Sequence, residues 1–131
     1  MSKEQINKVS EAQAFLKEKT NNFKPKTGII LGTGLSRLAD KIDREYTIDY
    51  EDIPHFPLST VESHSGKLIY GYLFGHPVVA MQGRFHYYEG YTLQQVTFPV
   101  RVLKSSGILR LLISNAAGAM NKNFRKGNLM L

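Results

Sequence analysis

Gly28-Ile29-Ile30-Leu31-Gly32-Thr33-Gly34 is the stretch that decides the architecture, because a short run of buried-strand character passes straight into a glycine turn. The residues that follow, about Leu35 to Lys41, read as a helix. A strand that turns directly into a helix is the repeating unit of an α/β sheet. Upstream, Thr20 to Thr27 is a polar connector containing Pro25. Before it, Ile6, Val9, Ala12, Phe15 and Leu16 recur at three- and four-residue spacing, and Ser2 with Gln5 has the form of a capping box. Residues 3–19 are therefore expected to form an amphipathic helix that, with the connector to residue 27, covers the core.

Downstream, Tyr46 to Tyr50 is a candidate strand, and Asp52 to Gly66 reads as a long loop carrying Pro54, His55, Pro57 and His64. Lys67 to Phe74 and His76 to Gln82 read as two strands joined through Gly75 in a tight hairpin. Thr92 to Ser106 is helical in pattern, with Pro99 expected to bend or interrupt it. Leu109 to Ser114 is a further buried strand, ending in Asn115-Ala116-Ala117-Gly118-Ala119. Asn128 to Leu131 begins an apolar strand with no turn or polar tail after it, which reads as a sheet cut in mid-strand. The expectation is one α/β domain over residues 1–131, with a mixed, mostly parallel sheet flanked by helices.

Composition narrows the function. A chain of 131 residues with 42% hydrophobic content has the size and make-up of one globular domain. The absence of cysteine removes disulfides, thiolate metal sites and a cysteine nucleophile. The N-terminus Met1-Ser2-Lys3-Glu4-Gln5 lacks the apolar core of a signal peptide, and no apolar run approaches a membrane span, so a cytoplasmic location is expected. The net charge of +6 raises the question of nucleic acid. Arg101, Lys104, Arg110, Lys122, Arg125 and Lys126 form neither a continuous stripe nor a pattern interleaved with aromatics, so a small anion is the better partner. His55, His64, His76 and His86 show no helical ligand spacing, and no metal site is expected. His76, beside Pro77 in the hairpin, is expected to face solvent.

The most unusual stretch is Gly83-Arg84-Phe85-His86-Tyr87-Tyr88-Glu89-Gly90-Tyr91. It follows a strand, loses both periodicities, and sets an arginine, an imidazole and a carboxylate among phenols. Taken singly these side chains are ordinary surface or packing residues; as a cluster they indicate function. Loops beyond the carboxyl ends of strands hold ligands in open α/β sheets. Arg84 offers a fork of donors suited to phosphate, and His86 can reach the same anion. Gly32-Thr33-Gly34 lacks the third glycine of a dinucleotide fingerprint, where Arg37 stands, and the ending of a P-loop. Its backbone N–H groups and the Thr33 hydroxyl can still hold an anion at a helix start. The small residues after Asn115 let a ligand approach the backbone closely. Three junctions at one end of a sheet can thus converge on one ligand.

Gly32-Thr33-Gly34-Leu35, Ile53-Pro54-His55-Phe56-Pro57 with Ser59-Thr60-Val61, Gln82 to Tyr91, and Ser114-Asn115-Ala116-Ala117-Gly118 together resemble the N-terminal half of trimeric-type purine nucleoside phosphorylases. The resemblance implies cleavage of purine ribonucleosides and deoxyribonucleosides by inorganic phosphate, as co-substrate, to free base and pentose 1-phosphate. It implies no metal or organic cofactor, and a homotrimer in the full-length protein. By resemblance Thr33, His64, Arg84, His86 and the backbone N–H of Ala116 bind phosphate, and Tyr88 and Asn115 flank the ribose. His86 and Glu89 form the catalytic pair, with Glu89 orienting His86. The residues that read the base lie in the second half of family members, so the chain by itself is expected to be inactive. Ser36-Arg37 departs from the small residues many members carry there. Methylthioadenosine phosphorylases are the nearest rival, but tend to have Thr-Ala-Cys-Gly in place of Asn115 to Gly118. A non-catalytic nucleoside- or anion-binding fragment is the alternative of a different kind.

Overall fold

The computed structural model describes residues 1–32, 34, 36–58 and 66–131. Helix α1 (Lys3–Lys19) opens on the expected capping box: the Ser2 hydroxyl accepts from the Gln5 N–H, and Gln5 Oε1 accepts from the Ser2 N–H. Val9, Ala12 and Leu16 form its buried stripe, while Ile6 is exposed. Five strands follow in a single sheet: β1 (Thr27–Ile30), β2 (Asp43–Asp49), β3 (Lys67–Leu73), β4 (His76–Gln82) and β5 (Arg110–Ile113). Helix α2 (Leu93–Ser105) connects β4 to β5.

The strand order is β2-β3-β4-β1-β5. The sheet is mixed, and its parallel character is confined to one half: β1 runs parallel to both β4 and β5, whereas β2, β3 and β4 form an antiparallel meander. The hairpin is responsible, since a two-residue turn can join only antiparallel strands. That turn is Phe74-Gly75, with φ of 50° and 80°. These are the values of a primed hairpin turn, in which asparagine is a better first residue than a β-rich aromatic. Phe74 is exposed, so its ring contributes little packing. Phe74→Asn is expected to raise unfolding stability by roughly 0.5–1 kcal/mol in a urea titration, with no change in the slope of the transition.

Alternation along the strands splits the core between the two faces. Ile30, Leu68, Tyr70, Val79 and Met81 pack with Val9, Ala12 and Leu16 of α1 and Val102 and Leu103 of α2. Ile29, Leu31, Ile69, Val78 and Ala80 pack with Ala39 and Ile42 on the other face. Ala39 belongs to Ser36–Lys41, which is helical as expected but wound as a 3₁₀ helix; Leu35 lies outside the described residues.

Five features differ from the sequence reading. Strand β5, expected to be buried, is mostly exposed, with Leu112, Ile113 and the preceding Leu109 open to solvent, because it lies at the edge of the sheet. Strand β2 begins at Asp43, ahead of Tyr46, because pairing with β3 continues past a bulge between Arg44 and Tyr46, a segment whose polar residues carry no alternation. Tyr50 leaves β2 and starts a 3₁₀ turn, Tyr50–Asp52. Pro99 does not interrupt α2, which runs through it. The helix is fixed at its start by a Thr92–Gln95 capping box and on its flank by burial of Pro99, Val102 and Leu103, which offsets the one lost backbone donor. Asn128 to Leu131, expected to begin a strand, forms none, and Leu129 to Leu131 are exposed. Among the described residues, no helix is long and apolar enough to cross a membrane.

Candidate active site

The in-phase register of the parallel strands builds the site. Thr27 stands level with Val78 and Arg110, and Ile30 level with Met81 and Ile113. The chain therefore leaves β1, β4 and β5 at the same height, and the segments beginning at Gly32, Gly83 and Ser114 emerge side by side. Gly83 ends β4 with φ of 97°, a left-handed turn that glycine takes without strain. The turn carries Arg84 across toward the exit of β5, where its Nη1 donates to the Ser114 carbonyl at 3.0 Å.

Arg84 Nε also donates to His86 Nε2 at 2.8 Å. A guanidinium can only donate, so Nε2 accepts and the ring proton resides on Nδ1. His86 Nδ1 then donates to Glu89 Oε2 at 2.8 Å, and the same oxygen accepts from the His86 backbone N–H at 2.8 Å. This double contact closes the 3₁₀ turn Tyr87–Glu89, which Gly90 terminates at φ of 93°. The Tyr88 ring stacks on the imidazole with centroids 4.8 Å apart and planes at 19°. Arginine, histidine and carboxylate thus form one polarised chain with its cationic end toward the strand exits.

Partial burial of the Glu89 carboxyl would raise its affinity for a proton, but the hydrogen bonds from the His86 backbone and ring, with the nearby Arg84 charge, outweigh it and hold the group below its ordinary 4.5. A group that binds its proton more weakly when folded stabilises the fold above its ordinary value and loses that contribution as pH falls through the lowered one. The stability gap between the unaltered chain and Glu89→Gln is therefore expected to persist above about pH 4.5 and to close on further acidification, as read by thermal unfolding across pH.

Ser114 ties two of the exits together, a role that sequence reading missed. Its hydroxyl accepts from the Gly32 N–H at 3.0 Å, and its backbone N–H donates to the Ile30 carbonyl at 3.1 Å. The approach at Gly32 is close: a Cβ there would lie 2.5 Å from the Ser114 carbonyl oxygen. Asn115 and Ala116 follow at the same end of the sheet and are exposed, as is Tyr88. The structure thus brings together Arg84, His86, Glu89, Tyr88, Asn115 and Ala116, whereas Thr33 and His64 lie outside the described residues. His76 is exposed, as expected, at the far end of the hairpin, and His55 pairs with Glu11. Among the described residues, no group of three or more histidine, aspartate or glutamate side chains is arranged to hold a metal.

Residues 26–131 match the Phosphorylase superfamily. The chain is 54% identical over 123 residues to purine nucleoside phosphorylase 1 of Geobacillus stearothermophilus, covering 94% of this chain and 44% of that protein. It is 52% identical over 124 residues to purine nucleoside phosphorylase 1 of Bacillus subtilis, covering 95% and 45% respectively. A crystal structure of a purine nucleoside phosphorylase in complex with ribose-1-phosphate superposes with a TM-score of 0.86 at 46% identity, covering 92% of this chain and 44% of that one. The chain spans under half the length of these relatives. With its strand order, its three level strand exits and its match over residues 26–131, this chain belongs to the Phosphorylase superfamily.

Proposed function

We propose that this chain supplies the phosphate and ribose side of a site that cleaves purine ribonucleosides and deoxyribonucleosides with inorganic phosphate. The observation that carries the reading is the Arg84–His86–Glu89 chain facing the exits of β1 and β5. In this reading Arg84 and His86, with Thr33, His64 and the Ala116 N–H, hold the phosphate. Tyr88 and Asn115 flank the ribose. Glu89 keeps the proton of His86 on Nδ1 and can stabilise an imidazolium if Nε2 takes up a proton to donate to phosphate.

The chemistry then follows from charge. As the bond from C1′ to the base nitrogen breaks, its electron pair leaves with the base, which takes up a proton, and the sugar gains oxocarbenium character. A phosphate dianion fixed beside C1′ stabilises that charge and forms the new bond through one of its oxygens. The protein's part is positioning and electrostatics, with no covalent enzyme intermediate and no metal or organic cofactor. The working enzyme is proposed to be a cytoplasmic homotrimer. Similarity to purine nucleoside phosphorylases, and Asn115-Ala116-Ala117-Gly118 in place of Thr-Ala-Cys-Gly, favour this reading over a methylthioadenosine phosphorylase.

The test is phosphate-dependent release of hypoxanthine from inosine by the whole protein. His86→Ala is expected to raise the phosphate KM and lower kcat/KM by about tenfold or more, the loss of one charged hydrogen bond. A protein that binds phosphate yet releases no base would instead be an anion-binding module, and the proposal would fail.

A further inference from the structure

Tyr50 is buried at the foot of the Arg84 loop, 33 residues away in sequence from the residue its hydroxyl reaches. That hydroxyl donates to the Gly83 carbonyl at 2.6 Å. Gly83 is the left-handed residue that turns the chain toward Arg84, so the bond fixes the peptide on which the guanidinium is aimed. The Tyr50 backbone N–H donates to the Gly66 carbonyl at 2.9 Å, where the chain enters β3. Its ring fills the space beside Gly66: a Cβ on that residue would sit 2.2 Å from Cε2 and 2.3 Å from Cδ2. A Cβ on Gly83 would in turn sit 3.3 Å from the Gly66 Cα. Tyr50 thus occupies a slot that the missing side chain of Gly66 leaves open.

The ring also contacts Phe56 at 5.3 Å and Phe85 at 5.4 Å between centroids. Phe85 stands between Arg84 and His86 in sequence and packs edge-on against Tyr91 at 5.2 Å. The loop therefore presents its polar side chains on one side and is gripped through Phe85 and Gly83 on the other. Burial pushes the Tyr50 phenol well above its ordinary value, which keeps the hydroxyl a donor throughout the working pH range.

We propose that Tyr50 is a positioning residue of the anion site: its hydroxyl and ring hold the Gly83–Arg84 turn and the Gly66 end of the preceding connection in one register, and so set where the guanidinium fork meets phosphate. The inference rests on the phosphate-binding reading above. Removing only the hydroxyl leaves the ring in its slot but frees the Gly83 carbonyl, at a residue whose backbone is the most permissive in the loop. The fork can then drift, and a bidentate contact is intolerant of drift.

The test compares the whole protein with Tyr50→Phe by isothermal titration of inorganic phosphate and by initial rates with inosine. Phosphate affinity is expected to fall between about threefold and tenfold, the range for one neutral hydrogen bond, with the phosphate KM rising in parallel. The inosine KM and kcat at saturating phosphate are expected to stay within about twofold, because the misplacement is overcome once phosphate is bound. Tyr50→Leu, which also empties the slot, is expected to weaken phosphate further and to lower Tm. Unchanged phosphate affinity in Tyr50→Phe overturns the inference, as does a uniform loss of kcat with both KM values unchanged, which is what a smaller folded fraction would give. If the unaltered protein binds phosphate without releasing base, the reaction proposed above fails, while the titration still decides the role of Tyr50. If it binds no phosphate, both fail.

Discussion

Arg84→Ala in the whole protein is expected to lower kcat/KM for phosphate by about a hundredfold, the upper range for losing hydrogen bonds to a charged group. The effect should exceed that of His86→Ala because three things are lost together. The guanidinium is a permanently charged fork for the phosphate oxygens. It bridges the loop after β4 to the Ser114 carbonyl. It also sets the His86 tautomer by donating to Nε2, so its removal leaves the imidazole with the Glu89 hydrogen bond and the Tyr88 stack but no partner at Nε2. Arg84→Lys restores charge without the fork and should fall between the two. The side chain is only half-buried and lies outside both apolar clusters, so Tm should change little. Initial rates against phosphate concentration, with thermal unfolding alongside, separate these outcomes. Rates within about twofold of the unaltered enzyme would remove Arg84 from the site.

Gly32→Ala is expected to damage both stability and activity. The added Cβ would lie 2.5 Å from the Ser114 carbonyl oxygen and 3.0 Å from the Asn115 Cα, and both obstacles are backbone. A side chain can rotate away from a clash; two adjacent strand exits can only separate. The expected loss is on the order of 2–3 kcal/mol, the upper part of the usual overpacking range. The phosphate KM should rise with it, because the same separation moves the Gly32 N–H off the Ser114 hydroxyl and shifts the carbonyl that Arg84 binds. Two neighbouring glycines serve as controls. Gly34 has open space around a Cβ but a φ of 81°, so alanine there should lower stability by only about 1 kcal/mol. Gly118 has open space and no positive φ, and alanine there should leave stability unchanged. Urea denaturation of the three variants tests the ranking, which fails if Gly32→Ala is the mildest.

What could be read from sequence was what is local. The α1 capping box, the Phe74-Gly75 hairpin and the buried strands β1, β3 and β4 are each written within a few residues, through periodicity or turn chemistry, whereas the apolar run of β5 does not show that it lies at an exposed edge. Arg84, His86 and Glu89 lie within six residues of one another, so their contact could be foreseen before any strand was paired. Asp43 to Glu45 could not be assigned to β2, because a polar strand end is defined by its partner. The continuity of α2 through Pro99 depends on burial that the sequence does not state. The same limit hid Ser114 and Tyr50 within the site. Ser114 meets Gly32 and Arg84 only after β1 lies between β4 and β5, and Tyr50 meets Gly83 only after β3 and β4 have folded back. Neither residue type advertises chemistry, and their use comes entirely from long-range placement.

The split of the sheet into an antiparallel meander and a parallel half also orders events in time. Strands β3 and β4 pair through a two-residue turn and β2 joins β3 across residues 50–66, whereas β1 pairs with Val78 and Arg110, far along the chain from Thr27. The three exits become level only when β1 is inserted, so the anion cradle is completed at the end of folding. An anion that recognises only the completed cradle leaves the early folding steps untouched and slows the reverse step, lengthening the lifetime of the native state by the factor one plus the ratio of free anion concentration to Kd.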